Sequence, residues 1–151
     1  LGGAQDVEWA IADGRLWVLQ ARPVTVEPPP ARPPRSPAGA PPDPPGTLTG
    51  TPGSRGTATG TARVVRGAGD FGRVEPGDIL VCPWTDPSWT PLLRVVGGVV
   101  TETGGALSHA AIVAREQRIP AVLGVPDATT RLHDATTLTI DGSAGTVTRH
   151  T

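Results

Sequence analysis

Apolar residues along the chain fall into short blocks set off by glycine, proline and small polar residues. Between residues 5 and 24 they flank Asp13-Gly14, which predicts a β-hairpin. A two-residue loop there would pair Ala10 with Trp17 and scatter the apolar side chains over both faces. A three-residue loop of Ala12, Asp13 and Gly14 instead sets Trp9 opposite Trp17 and Val7 opposite Leu19. That register gives one coherent apolar face and is the expected one, with Glu8, Gln20 and Arg22 together on the other face.

From Leu48 onward the blocks alternate between two periods. Strand patterns occupy 57–66, 79–82, 98–101, 121–124, 138–141 and 146–149, separated by glycine-bearing turns. Helical spacing appears twice. Trp89, Leu92, Leu93 and Val96 follow Asp86-Pro87, a capping residue with proline at the first helical position. Residues 108–117 form the second helix, with Ser108 at its N-cap and Pro120 preventing its continuation. Strands interleaved with two short helices predict an α/β domain with a mixed sheet.

Composition adds a boundary. Ten of the 18 prolines lie in 28–45, PPPARPPRSPAGAPPDPP, a polyproline-type stretch that cannot bury a core. Extended at about 3.1 Å per residue it would reach roughly 55 Å, and a semi-rigid spacer is a better reading than an SH3 or WW ligand. The expected organisation is a hairpin segment at 1–27, a flexible linker at 28–46 and a compact domain at 47–151. A net charge of -1 gives no electrostatic argument for nucleic acid or an anionic membrane. Cys82 is the single cysteine, so no internal disulfide is possible, and no apolar run approaches the roughly 20 residues that span a bilayer. These features point to a soluble cytoplasmic protein that engages neither nucleic acid nor membrane.

Candidate chemistry centres on Thr101-Glu-Thr-Gly-Gly-Ala-Leu-Ser-His109. Gly104 and Gly105 allow a tight turn, and His109 falls in the first turn of the predicted helix. Unpaired backbone N–H groups and the positive end of the helix dipole favour an anion there. The same dipole disfavours a cation, and a neutral imidazole beside an anion cradle suits a nucleophile that accepts a phosphoryl group. Ser108 and Thr103, with Thr101, are candidate helpers that bond phosphate oxygens or orient the ring. Other constellations are poor. His109, His133, His150 and Cys82 lack metal-ligand spacing, and the Ser108-His109 step lacks a nucleophile elbow. Arg115 and Glu116 are expected on a solvated or docking face of the helix, and Trp84 and Trp89 in core or docking surface.

The stretch GGALSHAAIVAREQRIPAVLGV, with Asp86-Pro-Ser-Trp-Thr-Pro-Leu-Leu before it and Asp141-Gly-Ser-Ala-Gly-Thr-Val after it, resembles the phosphohistidine signature of the phosphoenolpyruvate-utilising enzymes. That family includes phosphoenolpyruvate synthase, pyruvate phosphate dikinase and rifampicin phosphotransferase. The resemblance implies a swivelling β/β/α phosphohistidine domain whose carrier residue is His109, with Gly104 and Gly105 cradling phosphate. QDVEWAI and LWVLQARPVT are similar to the last hairpin of the family's ATP-grasp domain, which implies Glu8 and Gln20 as Mg²⁺ ligands and Arg22 as a contact to nucleotide phosphates. The rest of that domain, including its glycine-rich loop and lysine, is absent from these residues. The resemblance thus implies ATP and Mg²⁺ bound mainly by a partner ATP-grasp domain, and a second partner domain that binds the acceptor. His109 would take a phosphoryl group from ATP, giving AMP and Pi, and pass it to an acceptor such as pyruvate or a hydroxylated small molecule of the rifampicin type. The order of segments is that of phosphoenolpyruvate synthase, whereas the local motifs are nearer the rifampicin branch. The regulatory threonine two residues before the histidine in the dikinases is replaced by Leu107. A non-catalytic anion-binding or interaction module derived from such an enzyme is the alternative.

Overall fold

The computed structural model describes residues 5–23 and 46–150. The chain divides into two compact units, Leu1–Pro34 and Arg35–Thr151, a break that falls inside the proline-rich stretch. The linker expected at 28–46 lies outside the described residues except for Gly46, and so does the end of the first segment, 24–27.

The first unit is an antiparallel hairpin of β1 (Gln5–Ala12) and β2 (Arg15–Pro23). Its register corrects the expectation. Asp13 and Gly14 form a two-residue turn with φ of 51° and 70°, so both central residues are left-handed, as a turn that follows the strand twist requires. Ala10 therefore pairs with Trp17 and Trp9 with Val18. The extra residue expected at the turn is taken up lower down, where the register slips past Leu19. Beyond that bulge Glu8 stands directly across from Gln20, and Arg22 pairs with Asp6. The apolar residues of this hairpin are open to solvent: Ile11, Leu16, Trp17, Val18 and Leu19 are all more than half exposed.

The second unit contains an eight-stranded mixed sheet in the order β3-β10-β9-β5-β6-β7-β8-β4. These strands are β3 (Thr47–Thr49), β4 (Thr51–Ser54), β5 (Thr57–Val64), β6 (Ile79–Cys82), β7 (Gly98–Thr101), β8 (Ala121–Leu123), β9 (Thr137–Asp141) and β10 (Thr146–Arg149). β5, β6, β7 and β8 run parallel, and the remaining pairs are antiparallel. The parallel centre is covered on both faces, which is why all four residues of β6 and of β7 are buried. On one face Leu80, Cys82 and Val99 pack with Trp89, Leu92 and Leu93 and with the alanines of the main helix. On the other, Ile79, Val81, Val100 and Val122 pack with Leu132, Leu138, Ile140 and Val147. The outer antiparallel strands alternate instead: Leu138 and Ile140 are buried, while Thr139 points outward to bond Thr59 at 2.7 Å.

Among the described residues three α-helices connect the strands: α1 (Thr90–Leu93), α2 (His109–Gln117) and α3 (Ala128–Arg131). α1 is entered through a 3-10 turn, Pro87–Trp89, whose cap Asp86 accepts the Ser88 N–H at 2.7 Å. α2 ends at Arg118, which is left-handed, so the helix stops two residues ahead of Pro120. Not expected from the sequence were β3, β4, α3 and a 3-10 segment at Ala68–Arg73. β3 and β4 are consecutive in the chain yet lie at the two ends of the strand order. Gly50 alone separates them, and a Cβ there would come within 2.5 Å of the Leu123 carbonyl.

Candidate functional site

The site is built where β6 and β7 end side by side. β7 delivers Thr101, fully buried, whose hydroxyl donates to the Thr103 carbonyl at 2.7 Å and turns the chain sharply. Gly104 follows with φ of 106°, a conformation costly for residues with a Cβ, and an added Cβ would press within 3.1 Å of the Ser108 side chain. The Ser108 N–H donates to the Gly105 carbonyl at 2.9 Å, and Ser108 then caps α2 by accepting the Ala111 N–H at 3.4 Å. His109 is therefore the first residue of a nine-residue helix, at its positive end.

The neighbouring loop comes from β6. Thr85 Oγ1 lies 2.9 Å from His109 Nδ1, and Thr90 Oγ1 lies 3.4 Å from Nε2. The two loops are tied together, since both the N–H and the hydroxyl of Thr103 donate to the Pro83 carbonyl at 3.1 Å. Below, Glu102 accepts the N–H and hydroxyl of Thr129 at 2.8 and 2.6 Å, fixing the loop to the start of α3. The Asp86 carboxyl, beside the imidazole, is held below the usual carboxylate range by hydrogen bonds from the hydroxyl and N–H of Ser88, with a contribution from His109.

The expected site residues are thus only partly brought together. His109, Ser108, Gly104 and Gly105 form one continuous loop and helix start. The hydroxyls of Thr101, Thr103 and Ser108 engage backbone groups, so the ring is oriented by Thr85 and Thr90, which the sequence reading missed. Thr90 lies in the segment Asp86-Pro-Ser-Trp-Thr-Pro-Leu-Leu, which the sequence marks as a helix start and as part of the resemblance, whereas Thr85 stands just before that segment. Arg115 does not lie on a solvated face: its Nε donates to the Gly53 carbonyl at 2.9 Å and its Nη2 to the Ala106 carbonyl. Glu116 is exposed. Trp89 is core, in edge contact with Phe71 at 4.9 Å, whereas Trp84 is 55% exposed beside the site, as is Leu107 at 61%. Cys82 is buried, which together with the charge of Glu102 pushes its thiol up to about 12, so it packs as a small apolar residue. His150 bonds Thr139 at 2.8 Å on the sheet surface. Among the described residues no group of three or more His, Cys, Asp or Glu side chains could hold a metal. No helix of the described residues is long and apolar enough to cross a membrane.

The fold and site define an α/β domain that presents one imidazole at the mouth of a helix, oriented by hydroxyls from an adjacent loop. Residues 74–145 match the family model described as PEP-utilising enzyme, mobile domain, and the chain belongs to the PEP-utilising enzymes. It is 41% identical over 153 residues to the phosphoenolpyruvate synthase of Aeropyrum pernix, an alignment covering 94% of this chain and 18% of the relative. It is 47% identical over 100 residues to the rifampicin phosphotransferase of Streptomyces sviceus, covering 66% of this chain and 11% of the relative. The chain thus spans less than a fifth of the length of these relatives. The fold also matches a chain of Thermococcus kodakaraensis aconitase X, with a TM-score of 0.55 at 18% identity, over 70% of this chain and 98% of that one.

Proposed function

We propose that the chain is the phosphoryl-carrier domain of an ATP-dependent phosphotransferase and that Nε2 of His109 is the atom that carries the group. The observation behind this reading is the unequal hold on the ring. Thr85 contacts Nδ1 at 2.9 Å while Thr90 stands 3.4 Å from Nε2. A Thr85 oxygen that accepts from Nδ1–H leaves the lone pair on Nε2, the less closely held nitrogen. Backbone N–H groups at the start of α2, with the open turn of Gly104 and Gly105, suit the three phosphoryl oxygens.

In the cycle we infer, Nε2 attacks the β-phosphorus of ATP and AMP leaves. Hydrolysis of the resulting pyrophosphoryl group releases Pi, and the remaining phosphoryl group passes from Nε2 to the acceptor. The hydrogen-bond partners of the ring among the described residues are hydroxyls, so neutralisation of developing charge falls to partner domains. The placement of Glu8 across from Gln20 fits two oxygen ligands for one Mg²⁺, and Arg22 would meet nucleotide phosphate, once the remainder of an ATP-grasp domain is present. Mg²⁺ held there would neutralise phosphate charge. The proline-rich stretch acts as a spacer that lets the domain at 47–151 visit a loading site and an acceptor site in turn. Its single, buried thiol suits a reducing cytoplasm. Among acceptors, an oxyanion such as pyruvate enolate is favoured over a rifampicin-type hydroxyl, because the alignment with the phosphoenolpyruvate synthase extends over 94% of this chain and that with the rifampicin phosphotransferase over 66%.

The test is to incubate the chain with a cognate ATP-grasp partner and ATP labelled at the β-phosphate. Acid-labile, alkali-stable label is expected on the chain and is expected to vanish in His109→Ala. Absence of label on the wild type, or equal label on the variant, would overturn the reading and favour a non-catalytic binding module.

A further inference from the structure

α2 has an unusual inward charge. Arg115 stands six residues after His109, about 9 Å further along the helix at 1.5 Å per residue. Side chains of a helix lean toward its N-terminus, so a long residue at this position is aimed back at the loop that precedes the helix. The guanidinium completes that reach: Nη2 donates to the Ala106 carbonyl and Nε donates to the Gly53 carbonyl at 2.9 Å. No carboxylate among the described residues forms an ion pair with it. Burial alone shifts its pKa, downward, so the charge is taken partly out of water with only backbone dipoles in return. A guanidinium held this way is more than surface decoration.

The two carbonyls belong to segments far apart in the chain, strand β4 and the turn that precedes α2. Gly53 is buried in β4 at a bulge in its pairing with β8, and an added Cβ there would lie 2.7 Å from Leu123, so this backbone is closely packed against its neighbour strand. Ala106 is the midpoint of the Gly104 to Ser108 turn and makes no other hydrogen bond among those described for the turn. In a trans peptide the carbonyl and the following N–H point in opposite directions. Holding the Ala106 carbonyl toward the body of α2 therefore turns the Leu107 N–H away from Arg115 and sets the peptide planes that lead into Ser108 and His109.

We infer that Arg115 is a positioning residue for His109: its forked guanidinium fixes the Gly104–Ser108 turn to β4 and thereby sets the imidazole between Thr85 and Thr90. This inference rests on the carrier reading for its consequence, though not for its geometry. A lysine cannot replace the function, because one ammonium on a flexible stem does not present two donors in a fixed fork. The arginine acts through the loop and touches neither phosphate nor ring.

The experiment compares wild type, Arg115→Lys and Arg115→Ala in the β-label assay with the ATP-grasp partner, alongside ¹⁵N NMR of the His109 ring in the isolated 151-residue chain. Expected for both variants is an initial labelling rate lowered about tenfold or more, with the ATP concentration for half-maximal rate unchanged, since misplacement of a nucleophile by an ångström is that costly. Sub-denaturing guanidinium ion is expected to restore part of the rate to Arg115→Ala and none to Arg115→Lys. The ring resonances should shift from one tautomer in wild type to an averaged pair in the variants. Labelling of Arg115→Lys at the wild-type rate, or a loss that follows only the fraction of folded protein and is not rescued, overturns the inference. If wild type takes no label the carrier reading fails, and unchanged ring resonances in the variants still refute the positioning claim while shifted ones still support it.

Discussion

At the scale of single residues the two ring contacts are not equivalent, and that difference is measurable. Thr85 at 2.9 Å is within ordinary hydrogen-bond range of Nδ1; Thr90 at 3.4 Å from Nε2 is at its limit. On the carrier reading the first contact selects the tautomer and the second must yield when phosphorus approaches. Thr85→Val is isosteric and removes the hydroxyl that fixes the proton on Nδ1. Its labelling rate is expected to fall about tenfold to a hundredfold, because the loss of a tautomer-setting partner disables a histidine without displacing it. Thr90→Val removes a weaker contact to the nitrogen that must become free, so its effect is expected to stay below about tenfold, or roughly 1.4 kcal/mol. Initial rates with β-labelled ATP check the order, and a larger loss in Thr90→Val would assign the nucleophile to Nδ1 instead.

At the scale of elements, local pattern carried as far as its own range allows. β6, β7 and β10 were legible to the residue because each is an apolar or alternating block entered from a glycine-bearing turn, and α2 because Ser108, the alanine run and Pro120 mark both its ends. β3 and β4 were not. Thr47–Thr49 is too short to show a period, and Thr51–Ser54 contains Pro52-Gly53, which locally reads as a turn. They are strands only because β10 and β8, about 100 and 70 residues away, supply their ladders. The same limit explains the missed threonines: Thr85 and Thr90 become ring partners through the side-by-side pairing of β6 and β7, a contact invisible to local spacing. The hairpin register failed for a different reason. The turn chemistry of Asp13-Gly14, and not the alignment of apolar side chains, decides it, and the bulge absorbs the mismatch. The turn before α2 offers a comparison of a cap with a backbone constraint. Ser108→Ala removes an N-cap bond that is long at 3.4 Å, and should cost about 0.5–1 kcal/mol. Gly104→Ala forces a Cβ into a positive-φ position 3.1 Å from Ser108, and should cost about 1–2 kcal/mol. Urea unfolding of the two variants should rank them in that order, and the reverse ranking would mean that the turn relaxes freely.

At the scale of the whole sheet, the placement of β3 and β4 has a consequence for the site. Strands joined by one residue but lying at opposite ends of an eight-stranded order bring the two ends of the sheet together at Gly50, whose N–H donates to the Gly145 carbonyl at 2.8 Å. An added Cβ at Gly50 would fall 2.5 Å from the Leu123 carbonyl and 2.6 Å from Val125, neither of which can retreat, because both residues are fully buried. Those neighbours lead directly to the histidine loop. The Val125 N–H donates to the Thr101 carbonyl at 2.9 Å, and Gly124 stands against the Gly104 carbonyl. Gly50→Ala should therefore act as overpacking, lowering stability by about 1–3 kcal/mol, and should also disturb a loop that the substituted residue does not touch. The expected result is a lower urea midpoint with an unchanged slope, together with amide shifts concentrated at residues 101–109. A loss of stability whose shifts stay confined to β3, β4 and β10 would separate the closure of the sheet from the histidine loop, leaving that loop dependent on its local ties to Pro83, Thr129 and Gly53 alone.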